Sequence, residues 1–318
     1  MKTQINLTTS RCDLDRFASK RDLLDLLEDD GIELTCFEED ERNIVPAERV
    51  TGLHMNCLPF WVDFWRGDLA SCMREFDDAK TVRSVFGGDT PDALIEHYKK
   101  DLANAERYGA EYVVFHVCDG SAEETFTGKS RHSDTEVIDA AAELLNELFR
   151  NVKNGPWLLL ENLWYAGHRF TDPEMTARLL ERVKNPKTGL MLDTGHLLHT
   201  RTDIATQEDG VRYIGSMLDI HGDLIRHVRG VHLHQSLTGD LIRETQAHPP
   251  VPAPTYPERN DQLFRYVFAV DRHEPFTCEG VRELISRIDP DYLTFELISE
   301  NLKEHRALLK AQRAVFGK

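Results

Sequence analysis

The chain has 318 residues, 41% of them hydrophobic and 29% charged, with a formal net charge of -17. No run approaches the roughly 20 apolar residues that a membrane helix needs, and the acidic balance weighs against a broad basic surface for nucleic acid while leaving a local basic groove open. The six cysteines show no CxxC spacing and read as free thiols; residues 1–6 lack the basic-then-apolar pattern of a signal peptide, so a cytoplasmic location is expected.

Ile5, Asn6 and Leu7 form a short candidate strand, and residues 17–28 read as an amphipathic helix ended by Gly31. Residues 32–37 alternate like a second strand, and an acidic connection leads to a third ending at His54. The aromatic segment 55–67 is either a loop packed on its own barrel or a wall over a pocket. Thr90, Pro91 and Asp92 open a helix that runs to about Tyr108 and delivers the chain to a strand ending at His116. A polar loop over residues 118–133 precedes a helix at 134–151, and the next strand ends at Glu161. Asp172 and Pro173 start another helix, followed by the apolar run Gly189 to Leu192 that breaks off at Asp193 and His196. A helix at 210–226 leads to a strand ending at His232. Between 237 and 268 the rhythm fails: prolines at 249, 250, 252, 254 and 257 predict an irregular excursion over the site, with a surface or dimer-contact loop as the alternative. A helix at 278–288, a strand ending at Glu296 and a terminal helix at 301–315 complete the chain.

Strands centred near residues 5, 33, 51, 113, 158, 190, 230 and 294, mostly separated by helical patterns, predict an α/β fold. The expected form is a (β/α)₈ TIM barrel in a single domain, 1–318, with the proline-rich insertion at 237–268. An open doubly wound sheet is the alternative, but no Gly-rich phosphate loop follows an early strand. Six strands end in His54, His116, Glu161, Asp193, His232 and Glu296, where a barrel gathers its site. Imidazole nitrogen with carboxylate oxygen suits Zn²⁺, or Mn²⁺ or Fe²⁺, better than Ca²⁺.

At these residues the chain resembles the endonuclease IV branch of the xylose isomerase-like barrels, a superfamily that includes sugar isomerases and epimerases. The resemblance covers nearly the whole barrel and implies nine ligands for two or three metal ions. His54 and His116 would hold the first with Glu161; Asp193, His232 and Glu296 the second, sharing Glu161; and His196, Asp271 and His273 the third. Asp193 and His196 match an Asp-Thr-x-His motif, and Asp271 with His273 matches an Asp-x-His motif. Departures from the nuclease pattern are Asn162-Leu163-Trp164 after the bridging Glu, His234-Gln235 where Asn-Asp is expected, and Gly195 where Cys is common.

The resemblance implies metal-dependent phosphoester hydrolysis, with Glu161 and Glu296 as catalytic residues. Arg272 is expected to meet a phosphate, or else to serve as a salt-bridge residue. A sugar isomerase or epimerase would instead use one divalent metal and Glu161 with Glu296 as a proton-transfer pair. A non-catalytic metal-binding protein is the third reading. The expected partner is a small phosphoester or sugar. His168, His199, His234 and His248 stand either behind the ligands or on the surface.

Overall fold

The short apolar runs become parallel strands covered on both faces, which is why they carry so little polar alternation. A computed structural model describes residues 1–317. Its strands are β1 (Lys2–Thr8), β2 (Gly31–Thr35), β3 (Val50–His54), β4 (Tyr112–His116), β5 (Trp157–Glu161), β6 (Thr188–Asp193), β7 (Val228–Leu233) and β8 (Tyr292–Phe295). Each pairs with the next in sequence, and β1 pairs with both β2 and β8, so the sheet closes as the expected eight-stranded barrel. Register then sets the site: His116 lies beside Glu161, and Asp193 beside His232, at one mouth.

Helices form where capping residues stand before amphipathic runs. Ser19 and Ser133 each close a capping box, on Lys20–Leu27 and Asp134–Phe149. Asp172 caps Pro173–Arg182, with proline in the first turn where its missing N–H costs nothing. Most of the core lies between barrel and helices. A second layer of Tyr112, Val114, Leu159, Met191 and Tyr292 fills the barrel interior. Gly52 is what admits Tyr112, since a Cβ there would lie 2.1 Å from its ring.

Three segments differ from the sequence expectation. Residues 118–133 hold a two-residue strand, Cys118–Asp119, paired with Ala166–Gly167, and a capped helix, Ala122–Thr127. The aromatic segment packs on the barrel as the first of its two readings had it, with Phe60, Trp61 and Phe64 buried, but holds a short helix, Val62–Trp65, in place of a loop throughout. The 237–268 excursion is mostly helical, as Gly239–Ala247 and Tyr256–Val270. Only the proline-dense stretch between those helices is irregular, because Pro257 falls in a first turn, a position proline tolerates. No helix among the described residues is long and apolar enough to cross a membrane.

Candidate metal centre

Strands β3 to β6 end on His54, His116, Glu161 and Asp193, while His232 stands one residue before the end of β7 and Glu296 one residue after the end of β8. At this mouth five carboxylates (Glu33, Glu161, Asp193, Asp271, Glu296) and six imidazoles (His54, His116, His196, His232, His234, His273) converge in overlapping groups. All nine ligands read from the sequence are among them. Asp271 and His273 arrive differently, because their segment is clipped to the end of β7 by an antiparallel bridge between Gln235 and Glu274. The backbone at His273 is left-handed (φ 50°). Asp271 and His273 thus face the cluster, while Arg272 between them is half-exposed, 4.0 Å from Glu274, and lines no part of the pocket. The phosphate-binding role expected of Arg272 has no support in this geometry.

The contacts divide the cluster. Glu161 is wholly buried, and its Oε2 lies 3.0 Å from Nε2 of both His54 and His116. Its Oε1 lies 3.3 Å from His232 Nδ1, which also stands 3.2 Å from Glu296 Oε2 and 3.6 Å from Asp193 Oδ2. A third group has Asp271 Oδ2 at 3.2 Å from His196 Nε2 and 2.9 Å from His273 Nε2.

These distances fit metal coordination. A tetrahedral ion with bonds of about 2.0–2.1 Å sets its ligand atoms about 3.3 Å apart. His232 Nδ1, Glu161 Oε1 and Glu296 Oε2 are buried and close together, yet make no hydrogen bond to one another or to any other group among the described residues. The tautomers fit as well. Nδ1 of His54, His196 and His273 lies within 3.0 Å of the backbone carbonyls of Met55, Asn162 and Glu296 respectively. A carbonyl only accepts, so Nδ1 carries the proton and Nε2 keeps its lone pair for the cluster.

Electrostatics point the same way. Burial works against ionising Glu161, but the His116 and His232 rings outweigh it and hold its carboxyl well below the usual range. Burial likewise disfavours the charged His116 ring, yet Glu161 and Cys57 raise it to about 10. Four buried carboxylates and the partly exposed Glu296 therefore demand positive charge, which either imidazolium rings or divalent cations can supply.

Glu33 was not read from the sequence. It is buried in mid-strand, its Oε1 2.8 Å from His232 Nε2, with Tyr112 Oη (2.5 Å) and Thr294 Oγ1 (3.0 Å) donating to its Oε2. That arrangement holds the His232 ring with Nδ1 toward the cluster. The one sequence signal was a carboxylate inside an otherwise apolar strand.

Above the cluster opens a pocket of about 320 Å³, walled by Phe37, Trp164, Tyr165, Leu263, Phe264 and Phe268 among others, with no Lys or Arg in its lining among the described residues. Helix Tyr256–Val270 supplies the last three of these, so the segment expected to cover the site does overhang it.

A family model described as xylose isomerase-like TIM barrel matches residues 86–315. The chain belongs to that family. Among curated relatives, this xylose isomerase-like barrel is 32% identical over 149 residues to a probable endonuclease 4 of Halothermothrix orenii; the match covers 46% of this chain and about half, 49%, of the relative. Among solved structures, the barrel superposes on a D-tagatose 3-epimerase-like protein with a TM-score of 0.52 at 15% identity, covering 100% of this chain and 97% of the other. It also superposes on the IolI protein, whose structure holds a zinc atom, with a TM-score of 0.53 at 12% identity, covering 99% and 96%. At such identities the two superpositions establish the shared fold.

Proposed function

We propose that the chain is a metal-dependent hydrolase that cleaves a phosphoester of a small molecule at a centre of two or three divalent transition-metal ions, zinc first and manganese or iron as alternatives. The carrying observation is the division of Glu161, one oxygen toward His54 and His116 and the other toward His232. His54, His116 and Glu161 would hold one ion; Asp193, His232 and Glu296, sharing Glu161, a second; His196, Asp271 and His273 a third. Bound divalent ions supply Lewis acidity and lower the pKa of a coordinated water. The remaining work falls to the chain itself. Glu161 stands between imidazoles, its Oε2 beside His54 and His116 and its Oε1 beside His232, and so is in position before substrate arrives. The Glu296 side chain retains 14% exposure at the mouth and is the group placed to take up a proton there. The aromatic wall excludes water and favours a compact substrate over duplex nucleic acid.

A second reading, sugar isomerase or epimerase, draws support from the same pocket, which offers no cationic side chain to a phosphate. Glu161 and Glu296 both approach His232 Nδ1 and would form its proton-transfer pair. The deciding experiment uses protein of measured metal content on small phosphoesters, ketoses in deuterated water, and abasic duplex. Phosphate or alcohol release from small phosphoesters supports hydrolysis. Deuterium incorporation next to a carbonyl, with at most one metal equivalent per chain, replaces it with the isomerase.

A further inference from the structure

We infer that His234 is a tenth ligand of this centre, presenting Nδ1 to the group of His196, Asp271 and His273 and closing that group with four protein ligands. The inference rests on the multi-metal reading above. The ring is wholly buried, and its Nε2 lies 2.9 Å from Asp193 Oδ2. An ionised carboxylate only accepts, so Nε2 carries the proton and Nδ1 the lone pair. That Nδ1 has no hydrogen-bond partner among the described residues and stands 3.9 Å from Asp271 Oδ1. A buried nitrogen left bare in this way is costly unless something electrophilic meets it. His234 stacks on His273 with ring centroids 3.9 Å apart and planes within 5°, so an ion held by both must draw one ring out of the stack to aim its in-plane lone pair. Ligand atoms of His196, His234, Asp271 and His273 all lie within 4.8 Å of one another.

A second, independent observation comes from Gly195. A Cβ at that position would lie 2.0 Å from His234 Cε1 and 2.4 Å from its Nδ1. Gly195 is not among the glycines with left-handed backbone, so its conformation does not demand glycine; the imidazole does. Gly195 thus leaves open the volume that the His234 ring fills.

Three nitrogens and a carboxylate oxygen complete a tetrahedral shell, the arrangement of a structural ion, with no position left for water or substrate. The reaction would then belong to the two groups that share Glu161, while His196 and His234 together with Asp271 and His273 would, around an ion, tie the segment at Asp271 to the ends of β6 and β7.

The test loads wild type, H234N and G195A with Co²⁺ or Zn²⁺, then follows retention against a competing chelator and the visible absorption of the cobalt forms. Wild type is expected to keep one equivalent after the others are stripped, with the intense bands of a four-coordinate ion. Each variant should bind that equivalent more weakly by about 10–100-fold or more, the scale already seen for residues that merely orient a ligand, and lose band intensity as water enters. If wild type carries two or more ions while both variants match it in retention and spectrum, His234 is not a ligand. If wild type binds at most one ion, the multi-metal reading itself fails. Circular dichroism checks the fold; should H234N not fold, anomalous diffraction from the metal-loaded wild type decides, because an ion at this group further than bonding distance from Nδ1, about 2.1 Å, overturns the assignment.

Discussion

Glu161 can face two ligand groups only because its two oxygens are equivalent when ionised. Replacing it with Gln preserves size and removes that equivalence. E161Q is expected to fold normally and to lower kcat and kcat/KM together by about 10²-fold or more, the lower range of what general acid–base groups supply. Near wild-type turnover on the true substrate, with unchanged circular dichroism, would place the chemistry elsewhere. The nine candidate ligands could be proposed because each stands near a strand end or in a short motif, where a barrel has few structural uses for His, Asp or Glu, and the fold brings them to one mouth. Glu33 and His234 were not legible in this way. A carboxylate in mid-strand reads as ordinary alternation until closure turns it inward, and His234 gains its place only from the space left by Gly195, a neighbour through space and not along the chain. Arg272 agrees with the second of its two readings, a salt-bridge residue beside Glu274, because adjacency to two candidate ligands along the chain says nothing about direction when consecutive side chains point opposite ways.

At the level of elements, the strands and most crossover helices were readable from period and caps, whereas the segment before Asp271 was not. Proline count suggested an irregular chain; proline position decided the matter, since Pro257 sits in the first turn of Tyr256–Val270. That helix lends Phe264 and Phe268, 46% and 58% exposed, to the pocket wall. Truncating both to Ala should raise KM for small substrates by about tenfold, a fraction of what burying two aromatic rings against a ligand is worth, and leave metal content unchanged. An unaltered KM would remove the helix from substrate binding. The terminal helix Leu302–Ala314 makes a different prediction. Burial, with Arg16 and Arg313 nearby, lowers the buried His305 from 6.5 to about 4. The folded protein therefore keeps this ring neutral while the unfolded chain protonates it. Its contribution is complete above about pH 6.5 and is lost as pH falls toward 4, at up to about 1.4 kcal/mol per pH unit. Urea midpoints measured from pH 7 to pH 4 should fall less steeply in H305Q than in wild type; parallel slopes would show that His305 does not titrate on unfolding.

Across the whole molecule, a net charge of -17 and a mouth crowded with carboxylates mean that, under the proposed function, bound cations would add to the stability as well as to the chemistry. An ion that binds the folded chain alone adds its binding free energy to folding. Chelation should lower the thermal midpoint by several degrees, about what 1–2 kcal/mol produces in a chain of this size, and readdition of zinc should restore it; a midpoint indifferent to chelator would mean that the cluster is satisfied by its own imidazoles. Barrel closure carries a further consequence, one of timing. His54, His116 and Glu161 are all present by the middle of the chain, and the group around Asp271 by residue 273. Glu296 follows the strand that seals against β1, where Lys2 pairs with Tyr292. During synthesis the chain thus acquires its ion-holding groups one after another, and the last cannot form until the two ends of the polypeptide have met. Under the proposed function, uptake of that final ion would be a clock for completion of the fold, readable by stopped-flow absorption with Co²⁺.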